Sequence, residues 1–386
     1  MVNFMCVTRL KAANFAFIFL ISIKLIACSP SHSIRFPTAE GVSNLQERPS
    51  LRILAKGHNR RIGVGAINSI LKYSDYSRKL IADEFDFLVS DYHMKWKWIH
   101  PHRDLWNFDI SDDLVKFAQS HSQQVKGHAL LWHRSLPDYV KSSPISWNEV
   151  REHIETLMIR YRSHLSANGD KTLFAWDVLN EAIGDVDKNG KVALRETDFK
   201  RFLGANYVDR VFALARATDP DALLIYNDFG MELPGPKSEF ALAWLEELKF
   251  RKVPIDVIGF QMHIPLWKKG ALEKFEANLK RYSDLGFQVT LSEIDVALFS
   301  SEKEFRSMSE EEVNQRLEQQ KKVYAGLMRI CLRNSKCIGL SPWGLSDSDS
   351  WIRRTFGKSY EAPLLFDDRL RKKPAYWGLH EALESP

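Results

Sequence analysis

The feature that most limits what this chain can fold into is an alternation of patterns. From about Leu51 onward, short apolar runs of strand length alternate with stretches of helical spacing. The runs predict strands over Ile62–Ala66, Phe87–Tyr92, Gln124–Trp132, Thr172–Asn180, Leu223–Asp228, Val257–Ile264, Gln288–Val296 and Ile338–Leu345. Between them, helical spacing predicts helices over Trp147–Leu165, Phe199–Ala217, Lys237–Phe250 and Glu311–Leu332, with Ala375–Leu383 as the last. Eight strands each followed by a helix predict an α/β fold, a single (β/α)8 TIM barrel. A doubly wound sheet is the alternative, and it would gather polar residues at one switch point. Here polar residues stand at the C-terminal end of nearly every run, where barrel enzymes keep their sites.

With 386 residues, 45% hydrophobic and 27% charged, the chain can bury a large core. Most of the 11 Trp serve packing; a minority in a cleft would suit the flat apolar face of a sugar ring. The net charge is +5, and Arg9, Lys11 and Lys24 with no acid in 1–27 leave +2 for the rest. No basic block stands out, so a nucleic-acid partner is not implied.

Residues 1–27 form a signal peptide: Arg9 and Lys11, then the apolar run Ala12–Ile23, then Leu25-Ile26-Ala27-Cys28. A small residue before a cysteine resembles a bacterial lipobox, with Cys28 lipidated. Simple cleavage near Ala27–Ser31 or an uncleaved anchor are the alternatives, and all three place the domain outside the cytoplasm. Residues 28–50, polar and aperiodic, are expected to be a flexible tether, and 51–386 the catalytic domain. Cys331 and Cys337 can form a short disulfide joining a helix end to the next strand in an oxidising compartment.

Two glutamates carry the chemistry. Glu181 ends the run Trp176-Asp177-Val178-Leu179-Asn180-Glu181-Ala182, and Glu293 lies inside Gln288–Val296. A buried carboxylate without a purpose is costly. Two of them at the ends of two strands are what acid-catalysed glycoside cleavage uses: one protonates the leaving oxygen, and the other attacks or stabilises the sugar cation. Around them the strand ends supply Asp91 and Lys95, His128, Trp132 and His133, Asn180, Asn227 and Asp228, Gln261 and His263, Asp295, Trp343 and Trp351. Singly, a histidine here is more often structural and Asp228 could be a turn residue; together they mark one barrel mouth. The histidines do not form HExxH, and no set has clear metal spacing, so neither metal nor cofactor is expected. Gly63-Val64-Gly65-Ala66 begins like a dinucleotide fingerprint, but Asn68 replaces the third glycine and no phosphate loop follows. It is expected to be a glycine-tolerant first strand. GxSxG and P-loop motifs are absent.

As a set, Gly127-His128 with Trp132-His133, Trp176–Ala182, Tyr226-Asn227-Asp228, Gly259–His263, Ser292–Asp295, Trp343-Gly344, Asp349-Ser350-Trp351, Pro363–Asp367 and Lys373–Tyr376 resemble glycoside hydrolase family ten, the endo-β-1,4-xylanases. The resemblance runs from about Gly63 to Leu383, and the Cys331/Cys337 pair fits it. It implies a retaining enzyme acting on xylan, with Glu181 as acid/base and Glu293 as nucleophile. It also implies that Asn180 binds a sugar 2-hydroxyl, that Lys95, His128, Gln261, Trp343 and Trp351 line the glycone subsites with Trp132 as a wall, and that His263 and Asp295 support the nucleophile. Retaining enzymes hold their carboxyl groups about 5–5.5 Å apart, where one should keep its proton. Glu293, offered histidine and amide donors, is the better candidate for the charged form, and Glu181 for the protonated one.

Two departures stand out. Asp91-Tyr92 replaces the family's Glu-Asn, which puts the second glycone sugar and the exact backbone in question. Phe229-Gly230 loses a polar group after Asp228. A β-1,4-glucan substrate is therefore one alternative, and a non-catalytic carbohydrate-binding barrel another. No partner chain is expected.

Overall fold

The computed structural model describes residues 48–141, 144–358 and 361–385. Their strands are β1 (Arg61–Ile67), β2 (Phe87–Ser90), β3 (Gln124–Trp132), β4 (Leu173–Asn180), β5 (Leu223–Asp228), β6 (Val257–Phe260), β7 (His263–Pro265), β8 (Gln288–Ala297) and β9 (Cys337–Pro342). Every pairing between them is parallel. β1 to β6 follow one another, β6 pairs with β8, β8 with β9, and β9 returns to β1 through Arg61↔Gly339 and Ile62↔Leu340. The sheet is an eight-stranded closed barrel, with β7 a short extra segment on the end of β8 (His263↔Asp295).

Alternation along β1 explains its glycines. Ile62 and Val64 face the large core between strands and helices. Gly63 and Gly65 point the other way, where Phe87 and Trp343 join Phe174, Ile225 and Val257 in a second core. A Cβ on Gly65 would lie 2.2 Å from the Trp343 ring, so the rings occupy the space that a side chain would need.

Two expected elements are divided. The run Val257–Ile264 is broken at Gln261-Met262, because Met262 takes a left-handed φ of 61°. This separates β7 from β6 and turns His263 toward β8. The expected helix 199–217 is two helices, Asp198–Leu203 and Tyr207–Thr218, parted at Gly204 (φ 88°). The long helix Glu310–Arg333 begins in a capping box, Ser309 with Glu312, and ends beside the Cys331–Cys337 disulfide to β9.

A helix over Leu51–Gly57, not expected from sequence, opens the described chain, capped by Ser50. The last residues of the expected tether are docked: Pro49 O accepts from His380 Nε2 at 3.0 Å, and Leu51 N donates to Glu84 at 3.0 Å. The rest of the tether, the signal peptide and Cys28 lie outside the described residues. Among those described, no helix is long and apolar enough to cross a membrane.

Gly65→Ala is expected to destabilise the barrel by about 1–3 kcal/mol, the usual cost of overpacking a filled core. Denaturant unfolding measures it; wild-type stability would show that Trp343 moves aside freely.

Candidate active site

The barrel brings Glu181 and Glu293 to the C-terminal ends of β4 and β8, both buried. Glu181 sits just past β4 with φ 58°, a region that non-glycine residues seldom adopt. The surroundings hold it there. Its N–H donates to Asn227 O at 2.9 Å, and Arg195 Nε donates to its carbonyl at 3.2 Å. Two residues on, the Ile183 N–H donates to Asp228 and to the Tyr226 hydroxyl, both at 3.2 Å. Lys237 pairs with the other Asp228 oxygen at 2.9 Å. Asp228 thus acts as a clamp on the turn after Glu181.

The two carboxylates are held differently. Glu181 Oε1 accepts from Gln261 Nε2 at 3.2 Å, whereas its Oε2 has no partner among the described residues. Both Glu293 oxygens are engaged: Oε1 accepts from Asn227 Nδ2 at 2.6 Å, and Oε2 lies 3.3 Å from His263 Nε2. Asn227 is fixed by Ser292 Oγ at 2.5 Å and touches the Asn180 amide at 2.8 Å. The Asn180 amide has two orientations open to it, with its oxygen toward Asn227 or toward Trp132 Nε1 at 3.3 Å. The first is preferred, because Asn227 Nδ2 must remain the donor to Glu293.

The other His263 nitrogen faces Asp295 Oδ2 at 2.7 Å, and Trp351 Nε1 donates to that same oxygen at 2.8 Å. Burial disfavours a charged imidazole. Asp295 and Glu293 outweigh it and raise the His263 pKa well above its usual value, so the ring donates to both acids. For Glu293, burial likewise pushes the carboxyl up. The His263 hydrogen bond and the charges of His128, His263 and Lys126 more than reverse this, bringing it to about 2.

His128 stands beside this group, bonded to Asp177 at 2.7 Å and edge-on to Trp343. Asp177 also takes Lys126 at 2.6 Å. His128, Asp177 and Glu293 present atoms within 4.8 Å of one another, a spacing that suits a metal ion, yet the Lys126 ammonium already supplies a cation there. Lys95 is buried with its ammonium over the Trp132 ring. Burial lowers its pKa, opposed by Asp91, Glu293 and Glu181. Burial brings half-buried His133 down to about 4, leaving it neutral near Glu181.

Asp91 is drawn in at the same end, but its carboxylate is taken up by Arg354 at 2.6 Å, with Tyr92 beside that guanidinium. Arg354 escaped the sequence analysis, as did Lys126, Asp177, Lys237 and Glu232, which accepts from the strained Met262 N–H. Lys126 and Asp177 carried the same signal as Glu293, a charge within an apolar run. Arg354 carried none.

A buried carboxylate pair at the mouth of a (β/α)8 barrel, one acid with both oxygens held by donors and the other with one oxygen unengaged among the described residues, defines a glycoside-hydrolase type of site. Residues 50–382 match the model of glycosyl hydrolase family 10, and the chain belongs to that family. It is 33% identical over 342 residues to endo-1,4-beta-xylanase B of Thermotoga neapolitana, spanning 86% of this chain and 91% of that one. The crystal structure of xylanase 10B from Thermotoga petrophila, in complex with xylobiose, is similar with a TM-score of 0.76. It is 34% identical, over 87% of this chain and 97% of that one. Exoglucanase XynX of Acetivibrio thermocellus is 29% identical over 329 residues, 82% of this chain and 28% of that protein.

The pinning of Glu293 predicts a pH response. Its lowered pKa contributes stability in full above the ordinary carboxylate value of 4.5, and this is lost as pH falls toward about 2. The raised His263 pKa contributes in full below 6.5, and this is lost as pH rises through the raised value. His263→Ala leaves burial dominant at Glu293, so the acid limb of kcat/KM should move to higher pH. An unmoved acid limb would show that His263 does not hold the Glu293 charge.

Proposed function

We propose that this protein is a retaining endo-1,4-β-xylanase in which Glu293 is the nucleophile and Glu181 the acid/base. The observation that carries the assignment is the unequal hold on the two acids. Glu293 has both oxygens engaged by donors, one of them the His263 imidazolium, and is ionised. Glu181 keeps one buried oxygen that accepts no hydrogen bond from the described residues.

In the first step, a Glu293 oxygen forms a bond to the anomeric carbon while the bond to the leaving oxygen breaks. Glu181 gives that oxygen its proton. In the second, Glu181 takes a proton from water, whose oxygen displaces Glu293 from the opposite face. Two inversions give retention. Asn180, tethered through Asn227 to the nucleophile, holds the sugar 2-hydroxyl in this reading, as the resemblance implies. Lys95, His128, Gln261, Trp343 and Trp351, with Trp132 as a wall, form the glycone side.

A β-1,4-glucan is the second candidate substrate. It is favoured by the engagement of Asp91 with Arg354, which alters the region where the resemblance places the second glycone sugar. Turnover of xylohexaose beside cellohexaose separates the two. We also propose that the leader exports the chain and that Cys28 carries a lipid, on the strength of Leu25-Ile26-Ala27-Cys28.

Glu293→Ala and Glu181→Ala should each lower xylohexaose hydrolysis by several orders of magnitude, and azide should partly rescue the Glu293 variant as an inverted glycosyl azide. Near-normal activity in both would remove the assignment. Labelled palmitate should enter the wild-type chain and not Cys28→Ala; an unlabelled, released wild type would indicate simple cleavage.

A further inference from the structure

After β4 the chain turns back on itself. Ile183 bridges Leu194 in antiparallel register, and the Gly184 N–H donates to Ala193 O at 2.8 Å. This returns Arg195, 14 positions after Glu181, to the turn that carries the acid.

Arg195 takes three carbonyls in a row there. Its Nε donates to Glu181 O at 3.2 Å, its backbone N–H to Ala182 O at 2.7 Å, and its Nη2 to Ile183 O at 3.1 Å. Nη1 lies 3.4 Å from Asp185 Oδ2. The Arg195 side chain is only 17% exposed, so water is a poor substitute for these donors.

The two sides of the turn are therefore held by different parts of the fold. Its N–H groups at Glu181 and Ile183 go to β5, through Asn227 O, Asp228 and Tyr226. Its carbonyls go to Arg195. Between them Glu181 keeps φ 58°, which a non-glycine residue holds only where its surroundings impose it. Relaxation of φ turns the chain about N–Cα, and the Glu181 side chain swings with it. Glu293 has no such freedom, because it lies within β8 and both its oxygens are engaged. A lysine at 195 would keep the charge and lose the planar fork that spans two carbonyls.

We propose that Arg195 is a positioning residue for the acid/base: it acts through the turn, not on the substrate, and holds the Glu181 carboxyl at the leaving oxygen. This rests on the xylanase assignment above for the role of Glu181, and on the three carbonyl contacts for the role of Arg195.

A displaced acid has a kinetic signature that a weakened fold lacks. A sugar oxygen leaves as it receives a proton, whereas 2,4-dinitrophenolate leaves with the bonding electron pair and needs none. Glu293 attacks the anomeric carbon in both cases. In the second step Glu181 must still take a proton from water; azide has no proton to lose and avoids that need.

The test compares wild type, Glu181→Ala, Arg195→Ala and Arg195→Lys on xylohexaose and on 2,4-dinitrophenyl β-xylobioside. Arg195→Ala should lose about a hundredfold in kcat/KM on xylohexaose, the scale for a reacting group displaced by about an ångström. On the dinitrophenyl substrate its kcat/KM should stay near wild type while kcat falls. Azide should restore that kcat and give a glycosyl azide of retained configuration. Should Arg195→Ala fail to fold, Arg195→Lys gives the same split or the same contradiction. Equal losses on both substrates without azide rescue, or wild-type turnover of xylohexaose, would overturn the proposal. Glu181→Ala should show the split more strongly; its absence there would instead remove the acid/base assignment.

Discussion

Closure of the barrel, through the pairing of β1 with both β2 and β9, is the constraint from which the rest follows. An open sheet would leave two rows of unpaired backbone groups; closure removes both. It also forces eight strand ends around one small space. Inside, the rings of Phe87 and Trp343 take the volume that Gly63 and Gly65 leave. At the mouth, polar side chains that lie far apart in sequence have only each other for partners.

That crowding sets the electrostatics. Buried charges persist when they are matched, and here they are matched in chains: Lys126–Asp177–His128 on one side, and Glu293–His263–Asp295–Trp351 on the other. The second chain fixes the charge on Glu293 and, through Asp295, anchors the Trp351 ring. The same ring packs edge-on to His263, so one network supports both the reacting acid and the wall next to it.

Much of this was legible beforehand. The bounds of β3 and β5 follow from their apolar runs, and the helix Glu310–Arg333 from its spacing. Glu293 was conspicuous because a carboxylate in an apolar run is costly. The break at Met262 was not legible, since nothing in Gln261-Met262-His263 marks a left-handed residue; the buried Glu232 that accepts from Met262 N–H lies thirty positions away. The Leu51–Gly57 helix was hidden because most of its residues are polar or small, and it forms against Glu84.

The sequence by itself determined the strand and helix order, hence the barrel, and the residue types at its mouth, because periodicity and burial cost act locally. Only the tertiary structure decided which donors meet which acid. It gave both Glu293 oxygens to Asn227 and His263, left one Glu181 oxygen without a partner among the described residues, and turned Arg354 onto Asp91, 263 positions away. Those choices depend on distances across a closed ring of strands, and separation along the chain carries no record of them.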